Sequence, residues 1–219
     1  MALKSTCIAL AAMVSLAGCG AMKSSQSGGM PFSEVKLDGR APMGQAALAD
    51  ARFLVAGFDI LVPETLEVSE ANMFYPRADV VWRGEPQGNR LAQIKSILEE
   101  GFALGSAGLT TGPEAKLSVT LERFHALTEK ARFSVGGVHD IVFVLTVSDP
   151  QSGAILEGPR RVEVAIKAAG NEAAIAEDAA GRTQRVVIVE GLAAAIRQEL
   201  SGPPPSLSPR KRGLFAVFN

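Results

Sequence analysis

The chain has 219 residues, of which 47% are hydrophobic and 21% are charged. This composition excludes a fibrous or largely disordered protein and is typical of one compact domain with short extensions. The formal net charge is −1, so the chain lacks the basic excess of nucleic-acid-binding proteins. We therefore expect no nucleic-acid partner.

The first 18 residues have the features of an export signal. Lys4 precedes residues 5–18, which are small or apolar and carry no charge, in the order typical of such a signal. The run is shorter than the about 20 apolar residues that a membrane-spanning helix needs. The sequence therefore predicts that residues 1–18 are removed after export. Residues 19–31 are rich in Gly and Ser and are predicted to form a flexible linker with a reach of roughly 20 Å.

Two strands are predicted in the first part of the folded domain. Residues 52–62 are rich in branched and aromatic side chains and end at Pro63, and residues 78–82 form a second apolar run that Gly84 and Pro86 follow. Such side chains favour strands, and Pro is excluded from the interior of a sheet.

The clearest helix begins near Asn89. Apolar side chains recur there every three or four residues, which predicts an amphipathic helix with one buried stripe. The residues of this stripe are Leu91, Ile94, Leu98 and Phe102. Gly105 and Gly108 are predicted to end the helix.

Three more strands and a second long helix follow. Residues 115–124 and 161–167 alternate between apolar and polar side chains, as half-buried strands do, whereas residues 138–148 are apolar on both faces and indicate an interior strand. Residues 129–137 are predicted to be a turn or an extended hairpin arm. Residues 182–200 have apolar side chains at four-residue steps before a Gly-Pro pair, which predicts a helix.

The order of these elements predicts an α+β domain over residues 32–201. Strands, a helix, further strands and a second helix are typical of a mostly antiparallel sheet with two helices packed on one face.

Residues 202–219 are predicted to be a disordered tail. Three consecutive prolines begin it, and Arg210, Lys211 and Arg212 then precede the apolar residues 214–218. This basic cluster could bind anionic lipid or a groove of a partner protein. It could equally be a terminus without function, since chain ends are often poorly ordered.

No motif in the sequence indicates an enzyme. The chain lacks the zinc-protease motif His-Glu-x-x-His, a phosphate-binding loop, the Gly-x-Ser-x-Gly elbow and the Gly-x-Gly-x-x-Gly fingerprint. We therefore expect a protein that is not an enzyme, with no catalytic residues.

A few residues are candidates for binding. If residues 129–137 fold back, His125 and His139 could lie on paired strands and, with Asp140 or Glu129, ligate zinc or iron. Zinc sites use three or four protein ligands, so we predict no metal and no cofactor and keep both histidines as candidate binding residues. Trp82 could stack on a ligand, although a tryptophan at a strand end more often closes a core.

Residues 16–19, LAGC, resemble the lipobox of bacterial lipoproteins. The resemblance implies that Cys19 becomes the first mature residue and carries a diacylglycerol and an acyl group such as palmitate. Two or three acyl chains anchor a protein stably. Because Gly20 and not Asp follows Cys19, the resemblance also implies sorting to the outer membrane, on its periplasmic face. The alternative is an ordinary secretory signal with an incidental cysteine.

A second resemblance covers most of the mature chain. The stretches YPRADVVWRG (75–84) and SVTLERFHALTEKARFSVGGVHDIVFVLTV (118–147) are similar to an uncharacterised family of Gram-negative outer-membrane lipoproteins, classed as a domain of unknown function. The layout is also similar to that of small accessory lipoproteins of envelope machines. This similarity of layout implies no residue role.

We therefore expect a non-enzymatic cell-envelope lipoprotein that is bound to the membrane through its lipid. It would act as an adaptor or accessory subunit, contacting an envelope protein partner through its sheet, the arm from His125 to His139, or the tail. The alternative is a periplasmic binding module that holds a small lipid or an envelope glycan against the apolar sheet face. Purification of the anchored protein with a defined protein complex would support the adaptor, and purification with bound lipid would support the binding module.

Overall fold

A computed structural model of the protein describes residues 32–37 and 51–203. The predicted signal and linker, Cys19 and the basic cluster of the tail lie outside the described residues. The elements are, in chain order, β1 (Phe32–Leu37), β2 (Leu54–Leu61), β3 (Val68–Ser69), β4 (Val80–Val81), α1 (Arg90–Ser106), β5 (Glu114–His125), α2 (Glu129–Arg132), β6 (Gly137–Ser148), β7 (Ile155–Ala168), α3 (Asn171–Ala179) and α4 (Gln184–Leu200).

Three long strands form the centre of the sheet. β5 pairs with β6 and β6 pairs with β7, both in antiparallel order, so that Leu117 faces Val147 and Phe143 faces Val162. These four side chains are fully buried. The apolar and polar residues that alternate in the sequence of β5 and β7 are the ones that alternate between buried and more exposed positions in the structure.

Four further strands join this centre in parallel order. β1 lies beside β7, β2 and β4 lie beside β5, and β3 lies beside β4. The described residues thus form a mixed sheet of seven strands, in which α1 is the crossover between the parallel strands β4 and β5. The α+β class is confirmed, and the sheet is mostly but not wholly antiparallel. The sequence does not predict the parallel pairs because alternation within a strand is independent of the direction of its neighbour.

The two long helices begin at capping residues close to their predicted starts. The side chain of Asn89 accepts a hydrogen bond from the amide of Ala92 (3.0 Å), and Thr183 caps α4 in the same way. Gly105 does not end α1, contrary to the prediction. It lies inside the helix where α4 passes, and a Cβ there would be 2.9 Å from the carbonyl oxygen of Ala193. None of the described helices is long and apolar enough to cross a membrane.

α1 and α4 pack against each other and against the sheet. The ring of Phe102 in α1 lies 5.5 Å from the ring of Phe143 in β6. A Cβ on Gly191 of α4 would be 2.5 Å from the side chain of Ile166 in β7. Ile166 points to the same side of β7 as Val162, which faces Phe143. Both contacts therefore lie on one face of the sheet, where the hydrophobic core is formed.

Two short helices and two short strands are absent from the sequence prediction. α2 is a single turn, capped by Thr128, in the segment predicted to be a turn or an extended hairpin arm, so that prediction is corrected. Its four residues are too few to show a helical period. α3 is rich in Ala and Glu and buries only Ala174, so it has no apolar stripe. β3 has only two residues, and the six residues of β1, FSEVKL, do not alternate regularly between apolar and polar side chains.

A cluster of charged and polar side chains joins the two ends of the described chain. We call it the terminal clasp and define it as Ser33, Arg52, Glu157, Arg160 and Glu199. Arg160 and Glu199 are 3% and 6% exposed, and Arg160 Nε lies 3.2 Å from Glu199 Oε2. Ser33 Oγ donates a hydrogen bond to Glu199 Oε1 (2.6 Å).

The remaining contacts of the terminal clasp bring in the start of β2. Arg52 donates two hydrogen bonds to the Glu157 carboxylate, at 2.9 and 3.0 Å, and Arg160 Nη1 donates a third at 3.1 Å. Arg52 also donates to the backbone carbonyl oxygen of Glu199 (2.6 Å). The terminal clasp therefore holds β1, β7, the residues before β2 and the end of α4 together.

We predict that Glu199→Ala lowers the free energy of unfolding by about 3 kcal/mol, because removing one partner leaves the buried guanidinium of Arg160 undercompensated. The control is Glu99→Ala, which breaks an exposed pair with Lys95 (4.0 Å) and should cost less than about 0.5 kcal/mol. Urea denaturation measures both. Equal effects of the two variants would show that the terminal clasp does not contribute as described.

Candidate functional site

The ring of His139 is buried beneath the arm that follows β5. Its side chain is 1% exposed, and Nδ1 accepts a hydrogen bond from the amide of Leu127 (3.2 Å), which assigns the ring proton to Nε2. Burial and the nearby charge of Arg132 lower the pKa of His139 to about 3. The ring is therefore neutral at physiological pH and supports the backbone at Leu127.

His125 lies on the other side of the sheet from His139. It faces Asp140 across the β5–β6 ladder, and successive residues of a strand point to opposite faces. Its Nε2 lies 2.6 Å from the carbonyl oxygen of Ala78, and burial lowers its pKa, with the Ala78 hydrogen bond acting in the opposite direction. The two histidines therefore do not form a common site.

No metal site is present in the part of the chain that the structure describes. Residues 32–37 and 51–203 contain no group of three or more His, Cys, Asp or Glu side chains that could hold a metal ion.

Trp82 lies within the core. It is fully buried, and its ring meets that of Phe124 edge to face at 6.0 Å. A Cβ on Gly84 would be 2.3 Å from the ring, and Nε1 donates to Glu85 Oε2 at 3.3 Å. With both sides of the ring covered, Trp82 offers no surface on which a ligand could stack.

Large apolar side chains are exposed on two loops at one end of the sheet. We call this surface the aromatic end and define it as Met73, Phe74, Tyr75, Phe133 and Val135. Tyr75 is 90% exposed and Val135 is 73% exposed. Met73, Phe74 and Tyr75 lie between β3 and β4, and Phe133 and Val135 lie between α2 and β6.

Hydrogen bonds fasten the first of these loops to α2. Thr128 Oγ1 donates to the carbonyl oxygen of Met73 (2.9 Å), and the amide of Lys130 donates to Asn72 Oδ1 (2.9 Å). The ammonium group of Lys130 lies 5.0 Å from the centre of the Phe74 ring, within cation–π distance. The loop that carries Met73, Phe74 and Tyr75 is therefore attached to the arm that leads to Phe133 and Val135.

α2 is in turn attached to α3 and to the core. Arg132 Nη2 donates to Asp178 Oδ1 (2.9 Å), and the side-chain Nε2 of Gln184 donates to the backbone carbonyl oxygen of Leu127 (2.8 Å). A Cβ on Gly136 would be 2.8 Å from the backbone nitrogen of Gly170. This close backbone contact fixes the segment that carries Phe133 and Val135.

An arginine network supports the base of the aromatic end. Arg90 Nε lies 2.6 Å from Glu70 Oε1, and Arg83 Nε lies 2.5 Å from Glu129 Oε2. The hydrogen bond from Arg90 lowers the pKa of Glu70, and the hydrogen bond to Glu129 raises the pKa of Arg83. Burial raises the pKa of Glu129, but the hydrogen bonds from Arg83 and from its own backbone amide, together with the charges of Arg83 and Arg90, outweigh burial and lower that pKa. These shifts favour the charged forms, so the network persists at neutral pH.

The sequence contains a signal for the aromatic end. Met73, Phe74 and Tyr75 are three consecutive large apolar residues between Asn72 and Pro76, in a stretch for which neither helix nor strand is predicted. Such a run outside regular structure indicates an exposed contact surface. The sequence does not show that the arm after β5 lies beside it, because that proximity depends on the pairing of β4 with β5.

Comparison with known proteins finds one family model and distantly similar solved structures. The model is described as a family of unknown function (DUF6778) and matches residues 53–215. Protein XCC0632 from Xanthomonas campestris, of family DUF330, is similar over 78% of this chain and 92% of its own, with 11% identity and a TM-score of 0.43. A Caulobacter crescentus protein, provisionally described as a lipoprotein, is similar over 49% of this chain and 83% of its own, with 21% identity and a TM-score of 0.25. No curated protein matches the sequence.

The buried state of His139 predicts a pH dependence of stability. The pKa of His139 falls from its ordinary value of 6.5 to about 3 in the folded protein, so between these pH values the unfolded chain binds more protons. Stability must then fall as the pH decreases from about 6.5 toward 3, by up to about 1.4 kcal/mol per pH unit from this residue. His139→Asn retains an acceptor for Leu127 but does not titrate. We expect its free energy of unfolding to decrease less steeply over this range in urea denaturation.

The half-buried His125 supplies the control for this prediction, since His125→Asn should change the slope less than His139→Asn does. Parallel stability curves for the wild type and His139→Asn would contradict the assignment of a neutral, buried ring.

Proposed function

The chain belongs to DUF6778, a family of unknown function whose model covers most of its residues, and from its own residues we propose that it is a non-catalytic, lipid-anchored adaptor or accessory subunit of a cell-envelope complex. Membership of an uncharacterised family, which the sequence resemblance implied, is confirmed. The molecular role, by contrast, rests on the arrangement of the two ends of the domain.

The proposed anchor rests on the start of the sequence. Residues 1–18 have the order of an export signal, and Cys19 follows them in the context that resembles a lipobox. Lipid on Cys19, with Gly20 after it, would hold the protein at the periplasmic face of the outer membrane. The predicted linker would keep the domain within roughly 20 Å of this attachment.

The tethered end and the aromatic end lie at opposite ends of the sheet. β1 runs parallel to β7, with Phe32 opposite Arg161, so the chain enters the sheet from the side on which β7 begins. The arm that carries Phe133 leads into β6 at Gly137, which faces Ala168 at the far end of β7. A tether at Cys19 would therefore leave the aromatic end free to meet a partner away from the attachment.

The exposure of the aromatic end is the observation that carries the adaptor role. Soluble monomers rarely expose contiguous apolar patches, and those that exist commonly mark interaction sites. Tyr, Phe and Met are enriched at protein interfaces, and the arginine network and α2 hold in place the loops that carry these side chains before any partner binds. A pre-organised surface loses less conformational freedom on association.

The positions of the two histidines support a role without catalysis. A general base must reach a substrate within hydrogen-bonding distance, whereas the ring of His139 is buried and Nε2 of His125 is occupied by the carbonyl of Ala78. Both rings make contacts that stabilise the backbone.

We predict that the double variant Tyr75→Ser/Val135→Ser loses its partner without losing its fold. These are the two most exposed residues of the aromatic end, so the urea midpoint should not change. Because one aromatic contact at the centre of an interface contributes about 2 kcal/mol or more, recovery of the partner should fall by roughly 30-fold. Crosslinking in the intact envelope, followed by affinity purification of the anchored protein, measures this recovery.

The matched control is Leu61→Ser/Ile155→Ser, which removes two exposed apolar side chains outside the aromatic end and should leave the recovery unchanged. If the Tyr75→Ser/Val135→Ser variant recovers as much partner as the wild type, the aromatic end is not the docking surface. Co-purified lipid or glycan in place of a protein complex would favour the binding-module alternative.

A further inference from the structure

Lys130 of α2 places an uncompensated positive charge at the aromatic end. Its side chain is exposed, and its ammonium group lies 5.0 Å from the centre of the Phe74 ring. Lys130 makes no ion pair with any residue that the structure describes. A molecule that contacts the exposed ring of Phe74 would therefore meet this charge as well.

The carboxylates of the arginine network do not neutralise Lys130. Glu129 precedes it in α2 and lies 2.5 Å from Arg83 Nε. Glu70 lies 2.6 Å from Arg90 Nε. Because these two carboxylates are already paired with arginines, the ammonium group of Lys130 remains available to a carboxylate of another molecule.

Arg77 adds a second exposed cation to the loop between β3 and β4. It follows Tyr75 by two residues, is exposed, and has no ion pair among residues 32–37 and 51–203. The carboxylate two residues further on, that of Asp79, accepts a hydrogen bond from the amide of Glu67 (2.9 Å). The exposed apolar run thus has one cation beside it in sequence, Arg77, and another beside it in space, Lys130.

The charge of the aromatic end has the opposite sign to that of the body as a whole. Residues 70–77 and 128–138, which carry the aromatic end, contain more basic than acidic side chains, whereas acidic side chains outnumber basic ones over residues 19–201. The basic residues of the two segments are Arg77, Lys130 and Arg132, and the acidic ones are Glu70 and Glu129. An acidic segment would therefore be attracted to this end and repelled by the rest of the surface.

From these observations we infer that the partner segment that binds the aromatic end is an acidic peptide segment in which carboxylate side chains lie beside apolar ones. This inference rests on the proposed function, because it names the chemistry of the partner expected at the same surface. The apolar side chains of the segment would cover Phe74 and Tyr75, and a carboxylate would pair with Lys130 beside the Phe74 ring. Apolar burial would supply most of the affinity, while the charges would select the segment.

The test uses residues 19–219 with Cys19→Ser, so that no lipid is attached and no detergent is needed. Circular dichroism checks that each variant is folded. The probes are two short fluorescent peptides with the same leucine and phenylalanine residues, one with glutamates between them and the other with lysines. Fluorescence anisotropy measures the affinity of each peptide at low and at high salt concentration.

We expect the wild type to bind the glutamate peptide more tightly than the lysine peptide, with a difference that decreases as salt rises, because exposed charges are screened. An exposed ion pair contributes up to about fivefold in affinity, so Arg77→Gln/Lys130→Gln should bind the glutamate peptide about tenfold more weakly. Arg77→Glu/Lys130→Glu should reverse the preference and bind the lysine peptide more tightly.

The matched control is Lys95→Glu/Lys116→Glu, which makes the same change of net charge on exposed lysines of α1 and β5. This variant should keep the preference for the glutamate peptide. A reversal in both double variants would show that only the net charge matters and would overturn the inference, as would equal binding of the two peptides to the wild type. Binding to phosphatidylglycerol vesicles without binding to the glutamate peptide would assign the cations to a lipid surface and would also overturn it.

The inference and the proposed function fail on different results. If Tyr75→Ser/Val135→Ser loses its protein partner but the wild type does not distinguish the two peptides, the aromatic end remains the docking surface and only the acidic chemistry of the partner is overturned. If Tyr75→Ser/Val135→Ser retains its partner, the docking surface itself is wrong, and the inference about its occupant is overturned with it.

Discussion

The buried pairing of Arg160 with Glu199 is the constraint on which the arrangement of this domain depends. Burial of two charges is favourable only when both are paired and their remaining hydrogen-bonding positions are occupied. Here Ser33 occupies the second carboxylate oxygen of Glu199, and Glu157 accepts from both Arg160 and Arg52. Satisfying these groups requires β1, β7 and the end of α4 to meet at one place.

This requirement gives the molecule two different ends. At one end, the terminal clasp uses charged groups to hold segments that are distant in sequence, and the chain enters and leaves there. At the other end, charged groups again provide the support, through Arg83 and Arg90 with Glu70 and Glu129, but large apolar side chains are left exposed above them. Ion pairs therefore determine the shape of both ends, while the apolar layer between the sheet and the long helices supplies most of the burial.

The sequence predicts the elements whose pattern is periodic and long. The four strands and two helices of greatest length lie close to their predicted positions, because residues such as Leu117 and Ile94 alternate or recur in a way that only one type of element explains. The elements that were missed lack such a pattern: α3 buries a single alanine, and α2 is one turn. Gly105 was wrongly predicted to end α1. A glycine lies there because α4 passes so close that a Cβ atom would not fit.

The candidate site could be predicted only in part. Cysteine, histidine, tryptophan and clustered cations attract attention by their chemistry, yet His139 and Trp82 are placed by the fold in contacts that support the backbone and the core. The aromatic end has no chemically reactive group. The apolar run at residues 73–75 is visible in the sequence, but its proximity to the arm after β5 follows only from the pairing of β4 with β5. Residues that act through exposed area and not through reactivity give a weak signal in a single sequence.

The charge of the body cannot by itself orient the protein at a membrane. Between residues 19 and 201, acidic side chains outnumber basic ones, so an anionic surface would repel the domain. This repulsion decays over about 8 Å at physiological ionic strength. A linker with the predicted reach of roughly 20 Å would allow separations at which the field of a bilayer is largely screened. If Cys19 carries the proposed lipid, the orientation of the domain would then have to come from the place where the chain joins the sheet, beside the terminal clasp in which Ser33 is hydrogen-bonded to Glu199. It would not need any contact between the folded body and the bilayer.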